Sequence, residues 1–348
     1  MRPAIRDILL AAALAAPVLS HTIDDFFDGS VLHDISVTID PADWQSLKDK
    51  YLDSTYYRCD LEWRGMTMRN VGIRSRGSGT RNPIKPSFAF DFSKYTSTQR
   101  FLGMKSFNTR NFAQDASMMH ERLTMLMFAR MGLPYLREAH ARFFVNGQYV
   151  GLYLILEPID TRFLLTRFGE TQGYLYEFKW TGTPYRFDYL GDDTGLYCPT
   201  LFEPKNHEDA PDAAWLERMV RAVNLSSDEE FAAAAGQYLD LGSFVAHVAV
   251  EQFMAESDGF LGTAGMTNFY FYRRMADNRG LFLVWDKDQT FTNPEWSLWQ
   301  NTEQNVLLRR VLRVPELRKR YLETLAEAAR MAGGAGGWLD TERQRITG

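Results

Sequence analysis

The chain has 348 residues and only two cysteines, Cys59 and Cys198. Their spacing makes no zinc site. They pair as one disulfide if the protein is exported, or stay free thiols if it is not. The six histidines (His21, His33, His120, His140, His207 and His247) include no His-Glu-x-x-His and no close His/Cys set, which argues against zinc hydrolysis. There is no Gly-x-Ser-x-Gly elbow, no Walker phosphate loop and no low-complexity or repeat period. Basic residues are not in excess. The net charge is -5, so nothing electrostatic points to nucleic acid. Long hydrophobic runs are also scarce. The one candidate, Ile8 to Leu19, is broken by Pro17 and is too short for a membrane span. With Arg2 and Arg6 before it and Ser20 after it, this run reads as a secretory signal peptide over residues 1–21, the alternative being an N-terminal amphipathic helix. A signal peptide places the protein outside the cell or in its envelope.

What remains is an ordinary globular composition, 45% hydrophobic and 24% charged, with room for one large two-lobed domain or two domains. Strand signals dominate the first half. Leu32 to Ile39 alternates, and Pro41 opens a short helix. Tyr56 to Trp63 and Met66 to Arg74 read as a hairpin around Arg64-Gly65. Asn146-Gly147 sits at a hairpin turn between Ala141–Val145 and Gln148–Leu156. A helical stripe runs from Asp115 to Met131. In the second half, Thr181 to Asp212 reads as irregular. Helices are expected at Ala213–Val223, Ser227–Tyr238 and along Leu241 to Val248, and a basic helix at Val306–Met331. Its arginines read as a solvated face, or as a docking surface for an acidic protein.

Two stretches carry chemistry. Between strands lies Gly72-Ile73-Arg74-Ser75-Arg76-Gly77-Ser78-Gly79-Thr80-Arg81-Asn82-Pro83-Ile84-Lys85. Backbone N–H groups of such a loop can cradle phosphate, and Arg76 or Lys85 can pair with its charge. The bland reading is a solvated hairpin tip. The second stretch runs from Val250 to Phe291. Asp258, Asn268 and the pair in Asp286-Lys287-Asp288 place oxygen ligands at the ends of apolar elements, the donor type that hard cations take. A further carboxylate can orient an attacking hydroxyl.

Taken together these residues resemble the CotH kinase family of atypical protein kinases. The resemblance covers roughly Leu32 to Arg330. It implies an α+β, protein-kinase-like two-lobed fold, with an antiparallel sheet-rich N-lobe over 22–158 and a mainly helical C-lobe over 159–348. It implies Asp258 as the catalytic aspartate. Asn268, Asp286 and Asp288 would hold Mg²⁺ or Mn²⁺. Arg76, Gly77 and Lys85 would bind the phosphates of ATP. It further implies a Lys85–Glu121 ion pair, the alternative being a surface Glu121. Glu157 would contact the base or ribose at a hinge, or be a salt-bridged strand end. The implied reaction is metal-dependent transfer from ATP to Ser or Thr of a secreted or surface protein. The chain departs from the family in having Glu256 or Ser257 where an asparagine precedes the aspartate, and Thr292 where a glycine follows the second acidic pair. Two other readings stay open: an inactive coat or scaffold protein on the same fold, and a metal-dependent nucleotide-sugar transferase, which requires a doubly wound parallel sheet.

Overall fold

The computed structural model describes residues 21–347. The signal-peptide reading, which concerns residues 1–21, falls almost wholly outside them. In chain order the elements are α1 (Ile23–Phe26), β1 (His33–Ile39), α2 (Pro41–Asp49), β2 (Tyr57–Trp63), β3 (Met66–Arg76), β4 (Ser87–Asp91), β5 (Ser106–Arg110) and α3 (His120–Arg130). There follow β6 (Glu138–Val145), β7 (Gln148–Leu156), α4 (Thr161–Phe168), β8 (Tyr174–Phe178), β9 (Phe202–Pro204), α5 (Ala213–Leu225), α6 (Phe231–Gly236) and α7 (Leu241–Phe253). The chain ends with β10 (Phe269–Arg273), β11 (Gly280–Val284), α8 (Val306–Val311), α9 (Pro315–Ala332) and α10 (Trp338–Thr347). The protein is a mixed α+β structure.

The first seven strands close into a barrel in the order β1-β2-β3-β4-β5-β7-β6. Every pairing is antiparallel except β1 with β6, which runs parallel and shuts the cylinder. Closure removes the exposed edges that an open sheet would leave. β1 alternates buried and exposed at every residue, the pattern of a strand with one face in a core. That core is aromatic. Phe26, Trp63, Phe88, Phe90, Phe101, Phe107 and Tyr153 are essentially fully buried, and the Phe90 and Phe107 rings stack at 4.7 Å.

Beyond the barrel, β8 to β11 form a second sheet in the order β11-β10-β8-β9, all antiparallel. α5, α7 and α8 share an apolar core with it, through Trp215, Phe244, Phe269, Phe271, Phe282 and Leu307 among others. α7 supplies ten buried residues out of thirteen, so it packs on all sides.

Several expectations shift. The helix at Asp115 begins only at His120, because the buried Asp115 carboxylate turns back to accept from Ser117, Met118 and His120 N–H groups. The basic helix expected over Val306–Met331 is two helices, divided before Pro315, which cannot donate into a continuing helix. Arg310 is not part of a solvated face. It is buried and donates to the Val223, Ser226 and Ser227 carbonyls, closing the C-terminal end of α5. Cys59 and Cys198 are free thiols in separate cores, so no disulfide forms between them. No described helix is long and apolar enough to cross a membrane.

Truncating Phe107, at the centre of the stacked barrel aromatics, removes buried ring contacts on several sides. Phe107→Ala should cost about 3–5 kcal/mol in urea unfolding. A loss well under 1 kcal/mol would mean that the barrel core is not packed as described.

Candidate active site

A cavity of about 980 Å³ opens between the barrel and the second sheet. The exit of β3 lines one side with Arg76, Gly77 and Thr80, and Asp258, Asn268, Asp286 and Asp288 line the other. Six residues singled out in the sequence therefore meet here: Arg76, Gly77, Asp258, Asn268, Asp286 and Asp288.

Local sequence explains the placement. α7 ends at Phe253, and five residues later Asp258 stands in the loop before β10. Asn268 precedes β10 directly, and Asp286 follows β11 after Trp285. Asn268 and Asp286 both take left-handed backbone angles, φ 57° and 55°. Asn and Asp tolerate this conformation better than branched residues do. These kinks turn the chain sharply at the strand ends, the kind of local strain that collects at functional sites. Gly77 needs its glycine. Its φ is 113°, and a Cβ there would stand 2.7 Å from Thr80 Oγ1.

The electrostatics centre on Arg110, at the end of β5. Its Nε donates to Glu121 Oε2 at 2.8 Å and its Nη2 to Glu121 Oε1 at 3.2 Å. On its other side, Nη1 donates to Asp286 Oδ2 at 2.9 Å, and Nη2 lies 2.8 Å from Asp286 Oδ1. Sequence reasoning did not assign Arg110 a role. Nothing in the mostly polar run Ser106-Phe107-Asn108-Thr109-Arg110 marks it in the sequence.

The ion pair expected between Lys85 and Glu121 is thus replaced by Arg110–Glu121. Lys85 is not among the side chains lining the cavity. Its ammonium lies over the Tyr153 and Phe112 rings, at 5.1 and 5.5 Å, and burial lowers its pKa. Of the cations on the cavity wall, which include Arg74, Arg110, Lys179 and Lys205, Arg76 is the one singled out in the sequence. It donates to the Thr109 carbonyl at 3.3 Å and lies over the Trp285 ring. No carboxylate ion pair is described for it. Burial, and then the neighbouring Arg110 charge, pull its pKa down to about 10. Glu157 is also outside the cavity lining. It is 3% exposed, paired with Arg137 and Arg167, and accepts from the Arg137 N–H, so it is the salt-bridged strand end.

Asp258 accepts from Asn268 Nδ2 on its Oδ2 at 2.9 Å, and the same amide nitrogen donates to its carbonyl at 2.7 Å. Burial raises the pKa of Asp258 against the pull of Lys287, which makes it a stronger base than a free aspartate. Asp288 is pushed up to about 7, by burial first and then by the Asp286 charge. Among the described residues, no group of three or more His, Cys, Asp and Glu side chains is arranged to hold a metal. Of the oxygen groups that face the cavity, Asp286, Asp288 and Asn268 offer two carboxylates and an amide. Asn268 uses its Nδ2 on Asp258, and no described donor reaches its Oδ1. Asp286 keeps one lone-pair direction per oxygen beyond Arg110. Such hard oxygen donors fit Mg²⁺ or Mn²⁺, and a divalent charge would relieve the Asp286–Asp288 repulsion.

Behind the site, Glu256 is buried and accepts the Asp258 N–H on Oε1 at 2.8 Å. Burial drives its pKa up to about 8. In the folded chain it holds its proton, while the unfolded chain releases it near pH 4.5. Between those values the native state binds more protons, so stability falls as pH rises through this window and levels off above it. Glu256→Gln mimics the neutral acid and removes the effect. Urea unfolding at pH 5 and pH 8 should show the wild-type chain losing stability relative to the variant, by on the order of a few kcal/mol. Equal losses in both would refute the assignment of a neutral, buried Glu256.

The family described as CotH kinase protein matches residues 73–331, a span that holds both walls of the cavity. Inner spore coat protein H of Bacillus subtilis (strain 168) is 24% identical over 264 residues, which cover 74% of this chain and 70% of that protein. With most of its length matched, and with the matched segment containing all six sequence-predicted residues that meet in the cavity, the chain belongs to the CotH kinase protein family.

Proposed function

We propose that the protein is a metal-dependent, ATP-using protein kinase. In this reading the barrel, residues 22–158, acts as the phosphate-binding lobe of a two-lobed, kinase-like arrangement, and residues 159–348 act as the catalytic lobe. The observation that carries it is the single cavity shared by Arg76 and Gly77 from one side and by Asp258, Asn268, Asp286 and Asp288 from the other. Arg76 and the N–H groups of the Gly77–Thr80 turn bind the phosphates. Asn268, Asp286 and Asp288 hold Mg²⁺ or Mn²⁺, which when bound neutralises charge on the phosphoryl oxygens. Asp258 accepts the proton of a Ser or Thr hydroxyl. The hydroxyl oxygen forms a bond to the γ-phosphorus, and the bond from that phosphorus to the β–γ bridging oxygen breaks, leaving ADP. The acceptor would be a secreted or surface protein, and the spore coat relative supports a coat or envelope location.

A second reading, a coat or scaffold protein without turnover, is favoured by one feature: Arg110 engages both oxygens of Asp286. A nucleotide-sugar transferase is not supported, since neither described sheet is the doubly wound parallel type.

Thermal shift with Mg²⁺-ATP, Mn²⁺-ATP and a UDP-sugar separates the three: stabilisation by the adenine nucleotide is expected, and stabilisation by neither nucleotide type would favour the scaffold. Asp286→Ala should abolish metal-dependent ATP binding. Asp258→Ala should leave binding intact and cut transfer from γ-labelled ATP by ~10²-fold or more. Wild-type transfer rates in both variants would overturn these two roles.

A further inference from the structure

Between the two cavity-facing acids stands a lysine that points the other way. Lys287 is fully buried. Its ammonium pairs with Glu251 Oε1 of α7 at 2.8 Å and donates to the Asn268 carbonyl at 3.0 Å. The other Glu251 oxygen accepts the Phe260 N–H at 2.9 Å, and His247, one turn earlier on α7, lies 3.2 Å from Oε1. The loop carrying Asp258 is pressed onto these acids. A Cβ on Gly259 would stand 2.5 Å from Glu256 Cγ and 2.8 Å from Glu251 Oε2. Thr290 Oγ1 donates to the Lys287 carbonyl at 3.0 Å, which fixes the lysine's own backbone.

We propose that Lys287 is a positioning residue: one buried ammonium, through Glu251, sets the spacing of the Asp258 loop, Asn268 and the Asp286/Asp288 pair. This goes beyond the phosphotransfer reading but rests on it for the meaning of that spacing. Three separate chain segments carry the cavity's oxygen groups; the β10–β11 hairpin joins the second to the third, but no regular element joins the Asp258 segment to Asn268. α7 ends before Asp258, and the eleven residues from Asp258 to Asn268 contain no helix or strand. Such a loop holds side chains in place only if its backbone is tied from below. Tyr185 and Asn301 hold Met266 and Leu261 in the middle of the loop, and three ties reach the buried charges beneath it: Phe260 N–H on Glu251, Asn268 C=O on Lys287 and Asp258 N–H on Glu256. Two of the three depend on the Lys287–Glu251 pair. Supporting bonds of this kind commonly matter as much to a metal site as its ligands. An ammonium taken wholly out of water is costly unless it is paired and hydrogen-bonded, and Lys287 is both.

The test uses the full chain. In the wild-type protein, native-state hydrogen exchange should show the amides of Phe260 and the Asp258–Asn268 loop opening together with the C-terminal turn of α7. Free exchange of the loop under a protected α7 would overturn the proposal. Lys287→Met alone strands a buried carboxylate, so the informative variant pairs it with Glu251→Gln, which keeps an acceptor for Phe260. The double variant should lose amide protection over residues 257–268 while the barrel keeps it, and its affinity for Mn²⁺ alone, read by titration, should fall about tenfold or more. A folded double variant with wild-type loop protection would sink the positioning role. If the wild-type chain itself binds no Mn²⁺, the phosphotransfer reading fails instead, and the exchange data alone decide the role of Lys287.

Discussion

The site depends first on a guanidinium out of water. Arg110 leaves β5 at the point where the barrel wall ends, and its two donor edges grip Glu121 of α3 on one side and Asp286, beyond β11, on the other. One side chain therefore joins the barrel, a helix that follows it in sequence, and the second sheet. Breaking such a buried pair costs several times more than breaking a surface one, because the partners left behind are unpaired charges in a poor solvent. The planar fork of arginine suits this task, since it satisfies two carboxylates at once in fixed directions. The neighbourhood is crowded with acids. Glu138 is fully buried, and both its oxygens lack described partners. Burial, and then the Glu121 charge, hold its carboxyl well above the usual range.

A second interlock lies behind the first. Lys287, Glu251 and His247 sit under the loop that carries Asp258, and Glu251 is drawn down to about 2 by Lys287 and His247 even though burial alone would raise it. Arg110 fixes Asp286 from the barrel side, and Lys287 fixes the adjacent backbone from the α7 side. Alternate residues of Asp286-Lys287-Asp288 thus serve opposite faces of one strand end, cavity and core. Burial, and then the Asp286 charge held beside it, push Asp288 up to about 7.

Much of the fold was legible in the sequence because it rests on short-range signals. The alternation in β1 and the Asn146-Gly147 turn each report on their own few residues. Closure of the barrel was not legible. The parallel β1–β6 contact joins His33 to Ala141 across more than a hundred residues, and no local pattern encodes it. The same divide runs through the site. Asp258, Asn268, Asp286 and Asp288 stood out as polar residues at the ends of apolar elements, and the structure does bring them to one cavity. Lys85 and Glu121 are a different case, because which cation reaches a buried acid is decided by packing. Arg110 presents a planar fork that reaches Glu121 and Asp286 at once, whereas the single Lys85 nitrogen lies over the Tyr153 and Phe112 rings. Lys287 looked like the spacer in an acidic motif, and only its burial reveals what it holds.

The central claim is that the polar groups of the cavity take a nucleotide phosphate and its divalent ion at one place. The most direct measurement is anomalous diffraction from crystals grown with Mn²⁺ and a non-hydrolysable ATP analogue. The account predicts a manganese peak within ligand distance of Asp286, with phosphate density against Arg76. Manganese and nucleotide found elsewhere on the molecule, with Asp286 still held only by Arg110, would contradict it.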